Sequence, residues 1–244
     1  MMTGKKVLVV DANFGAPNLG LHLGIVDPEH TLHDVLSDDV QIQEAIYEHE
    51  QGFHILPASL VPKKVNPYKL RNRIESIKNN YDIILLDSSP TLNEEMFATI
   101  VASDELLVVT TPDYPTLSTT LHAVKIAKEK KIPIAGLILN KVRNKDFELT
   151  IDEIEDAAKV PVLAVIPDEL EVLESLSKTL PATSHAPNID SSVEYKHLAA
   201  CLINQKYYDN RLKAKVKRLF GSGPSKQEIN RGLYKDLGGG WDSN

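Results

Sequence analysis

Two acidic residues each close a short apolar run that has the composition of a buried strand. Asp11 follows KVLVV and Asp87 follows DIILL. A strand of four or more apolar residues that ends in a single Asp is typical of a site where the carboxylate binds Mg²⁺, directly or through water. Either residue alone is better explained as a helix cap or turn residue. Two such aspartates at the same sheet edge favour a metal site.

The segments that must position these aspartates alternate between two hydrophobic patterns. Nearly continuous apolar runs predict strands at residues 6–10, 53–58, 82–87, 105–112, 134–142 and 162–167. Amphipathic segments predict helices at residues 70–79, 96–102, 117–130, 151–158 and 193–207. The alternation predicts an α/β fold with a mostly parallel, doubly wound sheet. We expect both faces of these strands to be covered and ligands to bind beyond their carboxyl ends.

Composition limits the classes of function. The 244 residues are 42% hydrophobic and 25% charged, and their formal net charge is −7. This acidic balance disfavours nucleic acid as a partner of the whole surface. The single cysteine, Cys201, excludes a disulfide framework and suits a reducing cytoplasm. No apolar run approaches the roughly 20 residues that span a bilayer.

The segment 211–220 combines apolar and basic residues in a helical pattern. Its basic residues include Lys217 and Arg218, and one helical face carries Leu212, Val216, Leu219 and Phe220. This composition is typical of a helix that lies in the interface of an anionic membrane. A solvated basic helix packed on the domain is the alternative. We therefore expect an α/β domain at 1–205, a membrane-binding amphipathic helix at 206–221 and a flexible tail at 222–244.

Several segments follow one another in a characteristic order between about Lys5 and Leu202. They are VLVVDANFGAPNLGLHLGI, TLHDVL, ILPASL, YDIILLDSSPTLNEE, ASDELLVVTTPDYPTL, GLILNKV and PVLAVIPDE. This ordered set resembles the MinD/ParA family of ATPases. The KRLFG sequence at 217–221 is similar to the ending of the membrane-targeting helix of MinD proteins. The resemblance implies a P-loop NTPase-like fold, ATP and Mg²⁺ as cofactors, and a homodimer that forms around ATP.

The resemblance also assigns roles to individual residues. Asp11 and the loop after it match the first switch region, and Asp87 with residues 88–92 matches the Walker B motif and the second switch. Both aspartates are candidate catalytic and Mg²⁺-binding residues. Asn140 matches the residue that reads adenine, and Pro167 with Asp168 matches the loop over the base. The implied partners are an anionic membrane surface and a protein of a division or positioning system, for a cytoplasmic, peripheral membrane protein.

Two departures from the family pattern affect this assignment. Asn13, a candidate catalytic residue, stands where the family has a second Asp, and an amide orients water but cannot act as a base. No G-x-x-x-x-G-K-[ST] sequence occurs in the chain. We therefore expect a P-loop fold that is incomplete at its N-terminus, in an N-terminally truncated form of a MinD-like ATP-dependent switch. The alternatives are a nucleotide-free scaffold and a ParA-like DNA-partition ATPase, so enzymatic activity stays open.

Overall fold

The structure is a computed structural model that describes residues 4–212 and 223–237. Its strands are β1 (Val7–Ala12), β2 (Tyr47–Glu48), β3 (His54–Leu56), β4 (Ile83–Ser88), β5 (Leu106–Thr110), β6 (Ile134–Val142) and β7 (Val162–Pro167). Its helices are α1 (Leu19–His22), α2 (Leu32–Leu36), α3 (Leu70–Ile77), α4 (Glu94–Ala102), α5 (Tyr114–Glu129), α6 (Ile151–Ala158), α7 (Leu170–Ser177), α8 (Ala182–His185), α9 (Asp190–Leu202) and α10 (Lys226–Asp236).

The chain divides into two compact units, Met1–Asp104 and Glu105–Asn244. The first unit has a four-stranded sheet in the order β2-β3-β1-β4, in which only β2 runs antiparallel to its neighbour. The second unit has a parallel three-stranded sheet in the order β5-β6-β7. The predicted α/β architecture with mostly parallel strands is confirmed.

Each unit builds a core from the strands and the helices that follow them. In the first unit, residues of β1, β3, α2 and α3 pack together, among them Leu8, Leu36, Leu56 and Ile77. In the second unit, α5 and α6 pack with the sheet in one cluster, whereas α9 and α10 pack with it in another. The second sheet therefore has helices on both faces, as a doubly wound fold requires.

Two strands are not covered on both faces, contrary to expectation. β6 is buried along most of its length, but Leu85 of β4 is 46% exposed and Val109 of β5 is 56% exposed. Among the described residues, β4 is the last strand of the first sheet and β5 is the first strand of the second. Apolar side chains on both strands therefore lack the cover that central strands receive.

The expectation of a flexible tail at 222–244 is wrong for residues 226–236. They form α10, which begins with a capping box between Ser225 and Glu228. Buried side chains hold the helix on the second unit, where Asn230 donates to the Val162 carbonyl and Arg231 forms an ion pair with Glu194 at 2.6 Å. The rest of the predicted division, 1–205 and 206–221, stays a prediction.

Candidate functional site

Asp11 and Asp87 lie side by side at the carboxyl ends of two adjacent strands in the first sheet. The parallel ladder between β1 and β4 pairs Asp11 with Asp87 and Ala12 with Ser88. Adjacent strands are about 5 Å apart, and the two carboxylates occupy the same register position at the carboxyl ends of their strands. The structure therefore brings together the two aspartates that the sequence singled out.

The carboxylate of Asp11 organises the loop that follows β1. Its Oδ1 accepts a hydrogen bond from the Asn13 backbone N–H at 3.2 Å, and its Oδ2 accepts from the N–H groups of Asn18 and Leu19, both at 3.1 Å. The residue is only 1% exposed. Both carboxylate oxygens are thus used to fold residues 13–19 and to begin α1.

Burial leaves Asp11 with an unusual protonation equilibrium. Desolvation raises its pKa to about 6, and the nearby charge of Asp87 acts in the same direction, against the three backbone hydrogen bonds that lower it. A carboxylate that gains a proton near pH 6 is suited to respond to a cation or another charge placed beside it. The pKa shift supports a site at this sheet edge.

Asp87 differs from Asp11 because β4 is an edge strand. The residue is exposed, yet the surrounding protein atoms still raise the pKa of its carboxyl, while His22 acts in the opposite direction. As an exposed carboxyl, Asp87 keeps much of its hydration. Asp87 is the carboxylate that a ligand can reach.

The side chain of Asn13 is held in place by the loop after β1. Its side-chain Nδ2 donates to the Ala16 carbonyl at 2.7 Å, its backbone N–H binds Asp11, and the residue is buried. An aspartate in this conformation would place a carboxylate oxygen against the Ala16 carbonyl oxygen. The amide at position 13 is therefore part of the turn.

The donor set at this edge fits Mg²⁺ only as part of a larger coordination shell. Carboxylate oxygens are the hard ligands that Mg²⁺ prefers, and it is commonly held by one or two of them together with waters and phosphates. Asp87 has the exposure to serve as a ligand, whereas Asp11 has already committed both oxygens to the loop. Within residues 4–212 and 223–237, no group of three His, Cys, Asp or Glu side chains is arranged to hold a metal alone.

A cavity of about 570 Å³ lies beside the same loop of the first unit. Phe14, Gly15 and Pro17 line one part of it, and Lys64 and Glu95 line others. The Gly15 N–H donates to Glu95 Oε2 at 3.2 Å, which ties the loop after β1 to the first turn of α4. Glu95 was not among the residues predicted from the sequence, although its place in the acidic first turn of the helix after Asp87 was a signal for it.

The three residues that the resemblance assigns to adenine binding lie close together in the second unit. Asn140 precedes the end of β6, and Pro167 ends β7 as the register partner of Val142. The Asp168 N–H donates to the Val142 carbonyl at 3.0 Å, so Asp168 begins directly beside the end of β6. Asn140, Pro167 and Asp168 therefore share one edge of this sheet.

The amide of Asn140 keeps the groups that base recognition needs. Its Oδ1 accepts from the Lys141 N–H at 3.0 Å, where Lys141 adopts a left-handed backbone with φ +56°. This hydrogen bond fixes the amide and leaves one lone pair of Oδ1, together with the two hydrogens of Nδ2. Such a group suits the mixed donor and acceptor edge of adenine.

Arg143 was not singled out by the sequence, although it contacts this group. Its Nε donates to Asp168 Oδ2 at 2.6 Å, and its backbone N–H donates to the carboxylate of Glu148. The ion pair joins the loop after β6 to the loop after β7. Because both partners lie on loops that are far apart in sequence, no local pattern reveals the contact.

The predicted membrane residues are only partly described. Leu212 is 79% exposed, whereas Val216, Lys217, Arg218, Leu219 and Phe220 lie outside the described residues. No helix in the described part of the chain is long and apolar enough to span a bilayer.

Known proteins with similar sequences and structures agree with this architecture. The profile of the AAA domain family matches residues 1–134. An uncharacterized ATP-binding protein of Methanocaldococcus jannaschii is 32% identical over 89% of this chain and 86% of its own length. The cell division ATPase MinD of Pyrococcus furiosus has a TM-score of 0.77 at 32% identity, covering 80% of this chain and 84% of its own.

A second structure adds a bound nucleotide. It is the septum site-determining protein MinD of Pyrococcus horikoshii, complexed with Mg-ADP, with a TM-score of 0.77 and 32% identity over 80% of this chain and 82% of its own. The TM-scores show that this protein and the Pyrococcus furiosus protein share their fold with the chain described above. The chain belongs to the MinD/ParA family of P-loop ATPases.

Proposed function

We propose that this protein is an ATP-dependent switch that dimerises around Mg-ATP and acts at a membrane surface to position a cellular structure, such as the division site. The observation that carries the proposal is the pairing of Asp11 with Asp87 at adjacent strand ends. In a P-loop site this edge faces the metal and the terminal phosphates. The similarity to MinD proteins supports the choice of process.

The two candidate subsites supply different parts of nucleotide recognition. Asp87 would hold Mg²⁺ or its waters, and Asp11 would keep the loop of residues 13–19 in place. The fixed amide of Asn140 would read adenine, with Pro167 and Asp168 next to it. ATP would bring phosphate charge to the metal, and its hydrolysis would remove part of that charge.

The phosphate groups need residues that this sequence does not contain. The chain has no G-x-x-x-x-G-K-[ST] motif, whose backbone amides and Lys would bind them. The proposal therefore requires a strand, a phosphate-binding loop and a helix in addition to these 244 residues. The exposed side chain of Leu85 on the edge strand β4 is the kind of apolar surface that such a strand would cover.

Calorimetry with two proteins tests this requirement. We expect the 244-residue chain alone to show no micromolar Mg-ATP binding, because most phosphate contacts of a P-loop site come from the loop. A fusion that carries a family-type strand, KGGxGKT loop and helix ahead of Lys5 should bind Mg-ATP and dimerise, as measured by light scattering. Micromolar binding by the unfused chain would contradict the requirement for an added phosphate-binding loop.

A nucleotide-free scaffold is the second candidate. Two observations favour it: the Asn13 amide is built into a turn, and the sequence has no phosphate-binding motif. Failure of the fusion to bind Mg-ATP, with its fold intact by circular dichroism, would select the scaffold. A DNA-partition function is disfavoured by the net charge of −7.

We further propose that residues 206–221 bind anionic membrane. The support comes from the sequence, in which Leu212, Val216, Leu219 and Phe220 share a helical face beside several basic residues. Each basic residue near an anionic surface contributes about 1 kcal/mol, so one segment binds weakly and a dimer, with two, binds firmly. Dimerisation would then control localisation.

Liposome binding by a peptide of residues 211–220 tests the membrane proposal. We expect binding to anionic vesicles that weakens at high salt and falls at least about ten-fold with Phe220→Glu, because the substitution puts a charge into the acyl boundary. Lys213→Gln is the matched control, which removes one charge and should weaken binding only several-fold. Equal binding to neutral vesicles, or no loss with Phe220→Glu, would contradict the proposal.

A further inference from the structure

Helix α7 presents an apolar stripe to solvent. Leu170, Leu173 and Leu176 lie on one side of the helix, Leu180 follows its end, and these leucines are 39–79% exposed. Only Ser175 of this helix is buried. Single exposed leucines are common on protein surfaces, but a row at helical spacing marks an interaction surface. We call these four residues the leucine stripe.

Acidic residues accompany the leucine stripe. Glu171 and Glu174 lie on α7 itself, and Asp168 and Glu169 come directly before it. Lys178 is the basic residue at the end of the helix, and it is paired with Glu174 at 2.6 Å. A partner for this surface should therefore combine apolar side chains with positive charges.

The chain itself leads a segment of that kind to the start of α7. Arg211 Nη1 donates to Asp190 Oδ1 and to the Asn188 carbonyl, both at 2.8 Å. The N–H groups of Asp190 and Ser191 donate in turn to the carboxylate of Glu169, at 3.2 and 2.8 Å. Glu169 is the residue that precedes Leu170. The chain after Arg211 thus begins beside the N-terminal end of the leucine stripe.

We propose that the leucine stripe is the docking surface for the chain's own basic amphipathic segment, residues 212–220. The apolar residues of the segment match the leucines, and its basic residues, Lys213, Lys215, Lys217 and Arg218, match Glu171. Nine residues span at least about 13 Å, enough to follow the roughly 12 Å of an eight-residue helix such as α7. This inference rests on the proposed membrane function of the same segment.

Docking on α7 would regulate membrane binding by competition. Leu212, Val216, Leu219 and Phe220 cannot contact both the leucine stripe and a lipid surface, so the docked state is held off the membrane. The apparent affinity for membrane then falls in proportion to the fraction of undocked protein. A second copy of the chain, or the membrane itself, is the competing occupant of the stripe.

Vesicle binding by the full chain tests this competition. Leu173→Glu should release the segment and raise binding to phosphatidylserine–phosphatidylcholine vesicles about ten-fold, if about nine-tenths of the protein is docked. Leu233→Glu is the matched control, because Leu233 is comparably exposed on α10 and lies outside the stripe. It should leave vesicle binding unchanged. Both side chains are exposed, so thermal melts should confirm intact folding of each variant.

A disulfide measurement reports docking independently of lipid. The pair Leu173→Cys and Val216→Cys should form an intramolecular bond on mild oxidation, seen at monomer mass on non-reducing gels. The pair Leu233→Cys and Val216→Cys should not. Native Cys201 is buried and stays out of the reaction.

The remaining outcomes separate the alternatives. A bond at dimer mass would overturn the proposal in favour of a second copy, and weaker vesicle binding by Leu173→Glu would overturn it in favour of direct membrane contact. Unchanged vesicle binding with no disulfide would also overturn it. If neither the chain nor Leu173→Glu binds vesicles but the intramolecular bond forms, the docking surface stands and the membrane function fails.

Discussion

Replacement of Asp87 by Ala in the fusion protein that carries a phosphate-binding loop should reduce ATP turnover about a hundred-fold or more. Asp87 is the exposed member of the strand-end pair, and its register places it opposite Asp11. Removing a group that holds charge at the transferring phosphate costs several kcal/mol of transition-state stabilisation. Asp87→Asn keeps the shape of the side chain and should show a comparable loss, because charge is what the metal requires.

Asp82, just before the opposite end of β4, provides a matched control. Its carboxylate accepts from the Lys6 N–H at 2.7 Å and from Lys5 Nζ at 3.0 Å, at the exposed start of β4. An exposed ion pair of this kind contributes about 0–1 kcal/mol to stability. Asp82→Ala should therefore leave turnover within about two-fold. Undiminished turnover in Asp87→Ala would remove Asp87 from the site.

The strand pattern was predictable because apolar runs carry the main local signal. The runs at 82–87 and 134–142 correspond closely to β4 and β6. Their composition predicted cover on both faces, which β6 has and β4 lacks. An apolar composition shows that a strand can be buried. Whether it is buried depends on the strands and helices that lie next to it in the fold.

The helix α10 was missed although its sequence contains a start signal. Ser225 and Glu228 have the spacing of a capping box, but nearby glycines favoured the prediction of a flexible tail. The contacts that stabilise the helix come from Glu194 and the Val162 carbonyl, which lie far away in sequence. Local patterns cannot supply such partners.

In the candidate site too, the sequence predicted part of the arrangement, and contacts between distant residues determine the rest. The sequence identified Asp11 and Asp87 because both end apolar strands, and the resemblance to a family assigned them one shared role. The structure separates them, because the loop of residues 13–19 returns to Asp11 and uses its carboxylate as an acceptor. The path of that loop and the position of β4 at the end of the sheet order together decide which aspartate is buried.

Protein stability should depend on pH through Asp11. Its folded-state pKa is about 6, above the ordinary value for an aspartate side chain, so the folded protein binds a proton more tightly than the unfolded chain does. This contribution is fully present below about pH 4 and is lost as pH rises through about 6. A difference of about 2 pKa units corresponds to about 3 kcal/mol.

Urea unfolding between pH 4 and pH 7.5 measures this contribution. Asp11→Asn cannot ionise, so it should flatten the loss of unfolding free energy across that interval. Asp34 provides the contrast: although burial acts in the opposite direction, hydrogen bonds from Lys63 and Thr31 lower its pKa to about 2. Its stabilisation is present above about pH 4 and is lost as pH falls through 2, so Asp34→Asn should lower stability without changing the slope above pH 4. An unchanged slope in Asp11→Asn would show that Asp11 titrates normally and that the sheet edge imposes no desolvation on it.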